Sequence, residues 1–162
     1  MTALIEFDHS AIAINDLNFA EHFYVEILGQ IIGSAEITMR APGSTEEIIR
    51  RFKTLFEGRA TRGSEMVYRG ATPHSTARVG QAVIPLSLYQ EHVQEPPPEQ
   101  LRGFPRLAFH VTSEQVDKAV EVFTKHRIAF EGPAEYPPPS VIARAVYFRD
   151  PSSNFLELCS TR

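Results

Sequence analysis

Residues 106–127, RLAFHVTSEQVDKAVEVFTKHR, change their hydrophobic period within a few positions, and that change decides the fold. Leu107, Phe109 and Val111 alternate with Arg106, Ala108 and His110, the period of a strand with one buried face. Thr112 and Gln115 then stand at capping-box spacing, and Val116, Ala119, Val120 and Phe123 follow at the spacing of one helix face. Downstream, 127–131, 141–148 and 154–159 read as three further strands. The second half is therefore strand, helix, strand, strand, strand.

The first half repeats that order. In IEFDHSAIAI (5–14), Ile12 and Ile14 share one strand face, while His9, Ala11 and Ala13 share the other. Asn15 or Asp16 is the expected N-cap of a helix with apolar positions Leu17, Ala20, Phe23, Tyr24, Ile27 and Leu28, and Gly29 is its expected stop. Segments 31–40, 65–69 and 78–89 are expected to be extended. One addition has no counterpart in the second half. Ser44 and Glu47 have capping-box spacing, and Ile48, Ile49, Phe52, Leu55 and Phe56 form an apolar stripe, which predicts an inserted helix at about 44–57. Its other face, with Arg50, Arg51 and Lys53, is either a solvated face or a positive cover over a cavity mouth.

The duplicated order predicts an α+β protein of two tandem βαβββ modules. The first module spans 1–94, a stiff Pro-rich linker, EPPPEQLRGFP, spans 95–105, and the second module spans 106–162. Neither half is large enough to close a core alone, so the two are expected to pack as one structural domain.

Composition narrows the function classes. With 43% hydrophobic and 22% charged residues in a chain of 162, a real core is expected rather than disorder. Sixteen basic side chains against twenty acidic ones leave a net charge of −4, and no basic block tracks a phosphate backbone, so nucleic acid is not an expected partner. No apolar run approaches the roughly 20 residues of a membrane helix. The N-terminal MTALIEFDHS lacks the pattern of a signal peptide, and the expectation is a cytoplasmic protein. The one cysteine, Cys159, cannot form an internal disulfide or a Cys-rich cluster, so any metal would sit on histidine and carboxylate.

Two stretches carry a family likeness. FDHSAIAINDLNFAEHFYVEILG (7–29), with His9, Asp16, Phe23, Tyr24, Leu28 and Gly29, resembles one signature region of the vicinal oxygen chelate superfamily. AVYFRDPSSNFLELCS (145–160), with Asp150, Pro151, Asn154 and Glu157, resembles the other. This is the glyoxalase, bleomycin-resistance protein and extradiol dioxygenase group. The resemblance implies that the modules form incomplete barrels around a central cavity, that the protein is a homodimer, and that its partner is a small-molecule substrate or ligand.

Carried over residue by residue, the resemblance implies metal ligands on the first and last strands of each module. His9 matches the first-module histidine and Glu157 the second-module carboxylate. Pro85, in VIPLSL, stands where a glutamate is common, and Arg106 stands where a histidine normally opens the second module. Proline has no donor atom, and a guanidinium is always protonated and does not coordinate a cation. Two expectations follow. In one, His110 is a relocated ligand, and His9, His110 and Glu157 hold Fe, Mn, Ni or Zn for a lyase-, isomerase- or dioxygenase-type enzyme with Glu157 and Tyr147 as catalytic residues. In the other, the cavity is metal-free, Arg106 pairs with Glu157, and Arg106 and His110 contact an anionic ligand. Drug sequestration of the bleomycin type is the family's known metal-free form, but a positive site does not suit a cationic drug.

Tyr147 stands where extradiol dioxygenases keep a tyrosine, but it lacks the upstream histidine partner, and Ser153 occupies a position where the signature favours glycine. Its other reading is a cavity-lining aromatic. His22 and His126 are expected to face solvent, and His74 and His92 to be surface residues or replacement ligands. Cys159 shares the strand face of Glu157 and is expected to be a buried, inert thiol.

Overall fold

The expected capping box forms at Thr112. Its hydroxyl accepts the Gln115 backbone N–H at 3.2 Å, and the Gln115 side-chain oxygen accepts the Thr112 N–H at 2.9 Å. The helix it opens, Ser113–His126, buries Val116, Ala119, Val122 and Phe123, with Val120 half-buried at the edge of the stripe. It stops at Arg127, which takes a left-handed φ of 55°. The structure is a computed structural model that describes residues 8–40, 74–88 and 97–162. The expected helix at 44–57, the expected strand at 65–69 and His92 lie outside the described residues.

The first-module helix is capped by Asp16, whose carboxylate accepts the Phe19 N–H at 3.0 Å. It runs through three consecutive segments, Leu17–Glu21, a π-wound His22–Ile27 and Leu28–Ile32. Gly29 was the expected stop, and the helix passes through it to end at Gly33, whose φ is 88°. A Cβ on Gly29 would come within 3.2 Å of the Ala35 Cβ, so this glycine lets the helix pack closely on the following strand. The four residues after Gly29 are therefore helix and cap, and the strand expected from 31 begins at Ala35.

Among the described residues, eight strands form two four-stranded sheets. In the first, β1 (Ile12–Ile14), β2 (Ala35–Met39), β3 (His74–Val79) and β4 (Ala82–Leu88) lie in the order β1-β4-β3-β2. In the second, β5 (Arg106–His110), β6 (Phe130–Glu135), β7 (Ile142–Arg149) and β8 (Phe155–Thr161) lie in the order β5-β8-β7-β6. Each sheet has one parallel pair, first strand to last, and two antiparallel pairs. The duplicated βαβββ order is thus realised. The extended segment expected at 78–89 is instead the end of one strand, a turn, and the next strand, because Gly80 takes a φ of 60° and reverses the chain.

Both modules share one hydrophobic core. Phe148 of β7 lies 4.6 Å, between ring centroids, from Phe123 of its own module and 6.2 Å from Phe23 of the other. Polar contacts add a clamp between the modules. The Tyr24 hydroxyl donates to Asp150 Oδ2 at 2.9 Å, and Asp150 also accepts the Ser152 and Asn154 backbone N–H groups and the Asn154 side-chain amide at 2.8–2.9 Å. Asn154 Nδ2 donates at 2.8 Å to the Ala13 carbonyl as well, and the Asn15 N–H donates to Ser152 Oγ at 2.9 Å. Burial raises the Asp150 pKa against the pull of these bonds, and burial beside Asp150 pushes the Tyr24 hydroxyl well above its usual value. The signature residues Asp150 and Asn154 therefore hold the β7–β8 turn to the start of the chain.

A second buried carboxylate, Glu21, accepts the Ser75 hydroxyl at 2.6 Å and pairs with Arg40, joining the end of β2 to the start of β3. Ser153, where the signature favours glycine, sits at a φ of 68°. A left-handed serine costs about 1 kcal/mol, and part of that is offset by the freedom glycine adds to the unfolded chain. Ser153→Gly is therefore expected to raise stability by a few tenths of a kcal/mol, read as a Tm increase of about 1–2 °C. A fall in Tm would show that the hydroxyl holds the turn. No helix among the described residues is long and apolar enough to cross a membrane.

Candidate functional site

Strand alternation leaves one face of the second sheet outside the core. The register lays that face out in rows. Arg106, Phe155 and Arg149 form the first row; Ala108, Glu157, Tyr147 and Glu131 the second; His110, Cys159, Ala145 and Ala134 the third.

Arg106 and Glu157 meet across the first two rows. The Arg106 Nε lies 2.8 Å from Glu157 Oε2, an ion pair in which the glutamate side chain is 3% exposed and the arginine 22%. Glu157 Oε1 is buried with no hydrogen-bond partner. The Nη groups of Arg106 likewise have no hydrogen-bond partner among the described residues. The guanidinium lies 5.0 Å from the Tyr147 ring centroid and 5.0 Å from that of Phe104.

A second guanidinium comes from the Pro-rich segment. Arg102 stacks 4.1 Å over the Tyr147 ring, its Nη2 lies 2.9 Å from Glu131 Oε1, and its Nη1 donates to the Tyr136 hydroxyl at 3.5 Å. Tyr136 and Tyr147 share a hydrogen bond of 2.5 Å between their hydroxyls. Burial first, then that bond and the Glu157 charge, raise the Tyr147 pKa, so this phenol keeps its proton at neutral pH and serves as a donor rather than a base. The segment lies directly on the sheet at Gly103, where a Cβ would fall 2.2 Å from the Phe155 ring. Arg149 Nη2 donates to the Pro98 carbonyl at 3.2 Å nearby. What reads as a linker is thus a wall of this face.

The other expected site residues make contacts of their own. His110 shares the face four residues along β5 from Arg106, roughly 13 Å, and one row from Glu157. It is exposed, with Nε2 3.0 Å from the Thr161 hydroxyl. His9 precedes β1, half exposed, with Nδ1 2.5 Å from Asp8 Oδ2. Cys159 is buried, and burial with the Glu157 charge raises its thiol pKa, as an inert thiol requires. Arg102, Glu131, Tyr136 and Phe104 are site residues that the strand and helix periods did not reveal. Arg102 and Phe104 stand in the Pro-rich linker, Tyr136 at the end of β6 before PPP, and Glu131 becomes visible only through the pairing of β6 with β7.

This arrangement of two βαβββ modules, with a carboxylate on the last strand and its partner on the first strand of the same sheet, can be compared with known proteins. The model of the glyoxalase/bleomycin resistance protein/dioxygenase superfamily matches residues 6–158. The chain belongs to this superfamily. Among solved structures, the glyoxylase/bleomycin resistance protein/dioxygenase domain from Frankia sp. EAN1pec has a TM-score of 0.65 at 20% identity, over 99% of this chain and 94% of that one. The fosfomycin resistance protein FosX from Listeria monocytogenes has a TM-score of 0.62 at 16% identity over the same shares, and a FosX variant was solved with Mn(II) and 1S,2S-dihydroxypropylphosphonic acid. Lactoylglutathione lyase from Agrobacterium tumefaciens has a TM-score of 0.57 at 19% identity, over 99% and 94%. No curated protein matches the chain significantly.

Among the described residues, those at the metal positions that the superfamily resemblance implies do not fit a divalent ion. Among the described residues no three His, Cys, Asp or Glu side chains gather to hold one. His9, His110 and Glu157 form no such group. At the histidine position stands Arg106, whose charge already faces Glu157. Pro85 lies in β4 opposite Thr76 and offers no donor atom. It also weakens the neighbouring strand. The Ser10 N–H donates to the Val83 carbonyl at 3.2 Å, and the return bond of a parallel ladder is the one a proline at 85 cannot make. β1 accordingly begins only at Ile12, and His9 lies ahead of it.

Proposed function

We propose that this protein binds a small anionic organic molecule on the open face of its second sheet, at a metal-free site where Arg106 supplies the positive charge. The Arg106–Glu157 ion pair carries the reading. Glu157 holds the guanidinium at one edge while its Nη groups keep their donors, and those donors suit a carboxylate or phosphonate oxygen. Tyr147 and Tyr136 add phenolic groups beside it. Arg106 would also stabilise negative charge developing on a bound oxygen. Glu157 is poorly placed as a proton-abstracting base, with one oxygen against Arg106 and the other buried, which favours binding over acid–base chemistry. The open face, with Ala108 and His110 exposed, is consistent with a homodimer in which a second copy covers the site.

The Mn(II) in the FosX complex supports a second reading, a metal-dependent lyase, isomerase or dioxygenase in which His9, His110 and Glu157 are ligands and Tyr147 lies beside the reacting groups. One comparison separates the two. Protein purified without chelator, then incubated with Fe(II), Mn(II), Ni(II) or Zn(II), is expected to retain no stoichiometric metal, and His9→Ala is expected to change nothing. Stoichiometric metal on the unmodified protein that His9→Ala removes would establish the second reading.

A further inference from the structure

The site has features that an anion alone leaves unexplained. Phe104 is 85% exposed although its ring lies 5.0 Å from the Arg106 guanidinium, and a large apolar side chain left open beside a charge is the informative exception to burial. Ala108, exposed between the longer Arg106 and His110 on the same strand face, leaves a trough in the sheet. Beside this trough lies a small apolar cluster separate from the main core, in which the buried Ala145, Tyr147 and Cys159 pack with the partly buried Ala134, Tyr136 and Ile142.

We propose that the ligand is a carboxylate carried on a flat apolar body. Its carboxylate rests on the Nη groups of Arg106, and its body lies along Ala108 toward His110, covered by Phe104. This rests on the anion-binding reading above and adds the apolar half of the ligand.

The test is a set of titrations followed by NMR or calorimetry with benzoate, acetate, inorganic phosphate and benzamide. Benzoate is expected to bind about tenfold or more tightly than acetate, since the ring adds buried apolar surface, and benzamide is expected not to bind. Phe104→Ala, at an exposed position that folding does not depend on, is expected to weaken benzoate several-fold and leave acetate unchanged. The paired change Arg106→Gln with Glu157→Gln, which removes both charges while keeping amides in the same place, is expected to abolish benzoate binding. If acetate or phosphate binds as tightly as benzoate, or if Phe104→Ala leaves benzoate unaffected, the apolar half of the proposal falls and the anion site stands. If no anion binds in a way that the paired change removes, the anion-binding reading falls and the proposal with it.

Discussion

Arg106→Met is expected to cost about 3–5 kcal/mol of folding stability, because it strands a buried carboxylate without its counter-ion. Glu157 is 3% exposed, its Oε2 faces the Arg106 guanidinium at 2.8 Å, and its Oε1 has no partner. Nothing else among the described contacts compensates that charge. For a chain of this length the loss corresponds to a Tm decrease on the order of 10 °C. The paired variant Arg106→Met with Glu157→Leu is expected to recover most of it, since replacing a buried ion pair with apolar groups of similar volume is often neutral or stabilising. Urea denaturation of the two single variants and the pair gives the coupling directly. A single-variant loss below about 1 kcal/mol would mean that Glu157 does not depend on Arg106, which would leave the carboxylate available to a metal and favour the second functional reading.

Asp150→Ala should be nearly as damaging, at roughly 3 kcal/mol. It removes the acceptor of four hydrogen bonds and strands the buried Tyr24 hydroxyl and two backbone N–H groups of the β7–β8 turn. A pH dependence accompanies it. Burial holds the folded-state pKa of Asp150 above 3.8, so the folded protein binds this proton more tightly than the unfolded chain. The contribution of Asp150 to stability is therefore greatest below that value and falls as pH rises from it through the folded pKa. Urea midpoints measured across the acidic range should show this decline in the unmodified protein and not in Asp150→Asn. A decline of equal size in both would assign it to other carboxylates.

The elements that were legible in the sequence share one property: their determinants are local. Asp16, the capping box at Thr112 and Gln115, and the alternation of Leu107 and Phe109 each act within a few residues, where hydrogen-bond geometry and period decide. The repeated order needed only those local signals twice. The pairing of Arg106 with Glu157 was also within reach, because strand parity puts both on the open face and the family likeness places both at the site.

The misread boundaries have the opposite character. Gly29 and Gly33 are equally good helix stops in isolation, and the choice between them rests on how closely Gly29 approaches Ala35 on a strand that follows. The turn at Gly80 was hidden inside an apolar run because both flanking strands are extended and differ only in direction. Arg102 and Phe104 looked like linker because proline-rich composition reports stiffness, not what the segment lies against.

By itself the sequence determined the class of protein, the two-module order, and that neither Pro85 nor Arg106 can donate to a metal, since the chemistry of proline and of a guanidinium holds in any fold. The tertiary structure alone decided that a supposed linker lies against the sheet, that Arg102 stacks on Tyr147, and that His110 meets Thr161 and His9 meets Asp8. Most of those outcomes depend on contacts between residues far apart in the chain, above all Gly103 against Phe155 and β6 against β7, and such contacts are chosen by packing of the whole rather than by any local pattern.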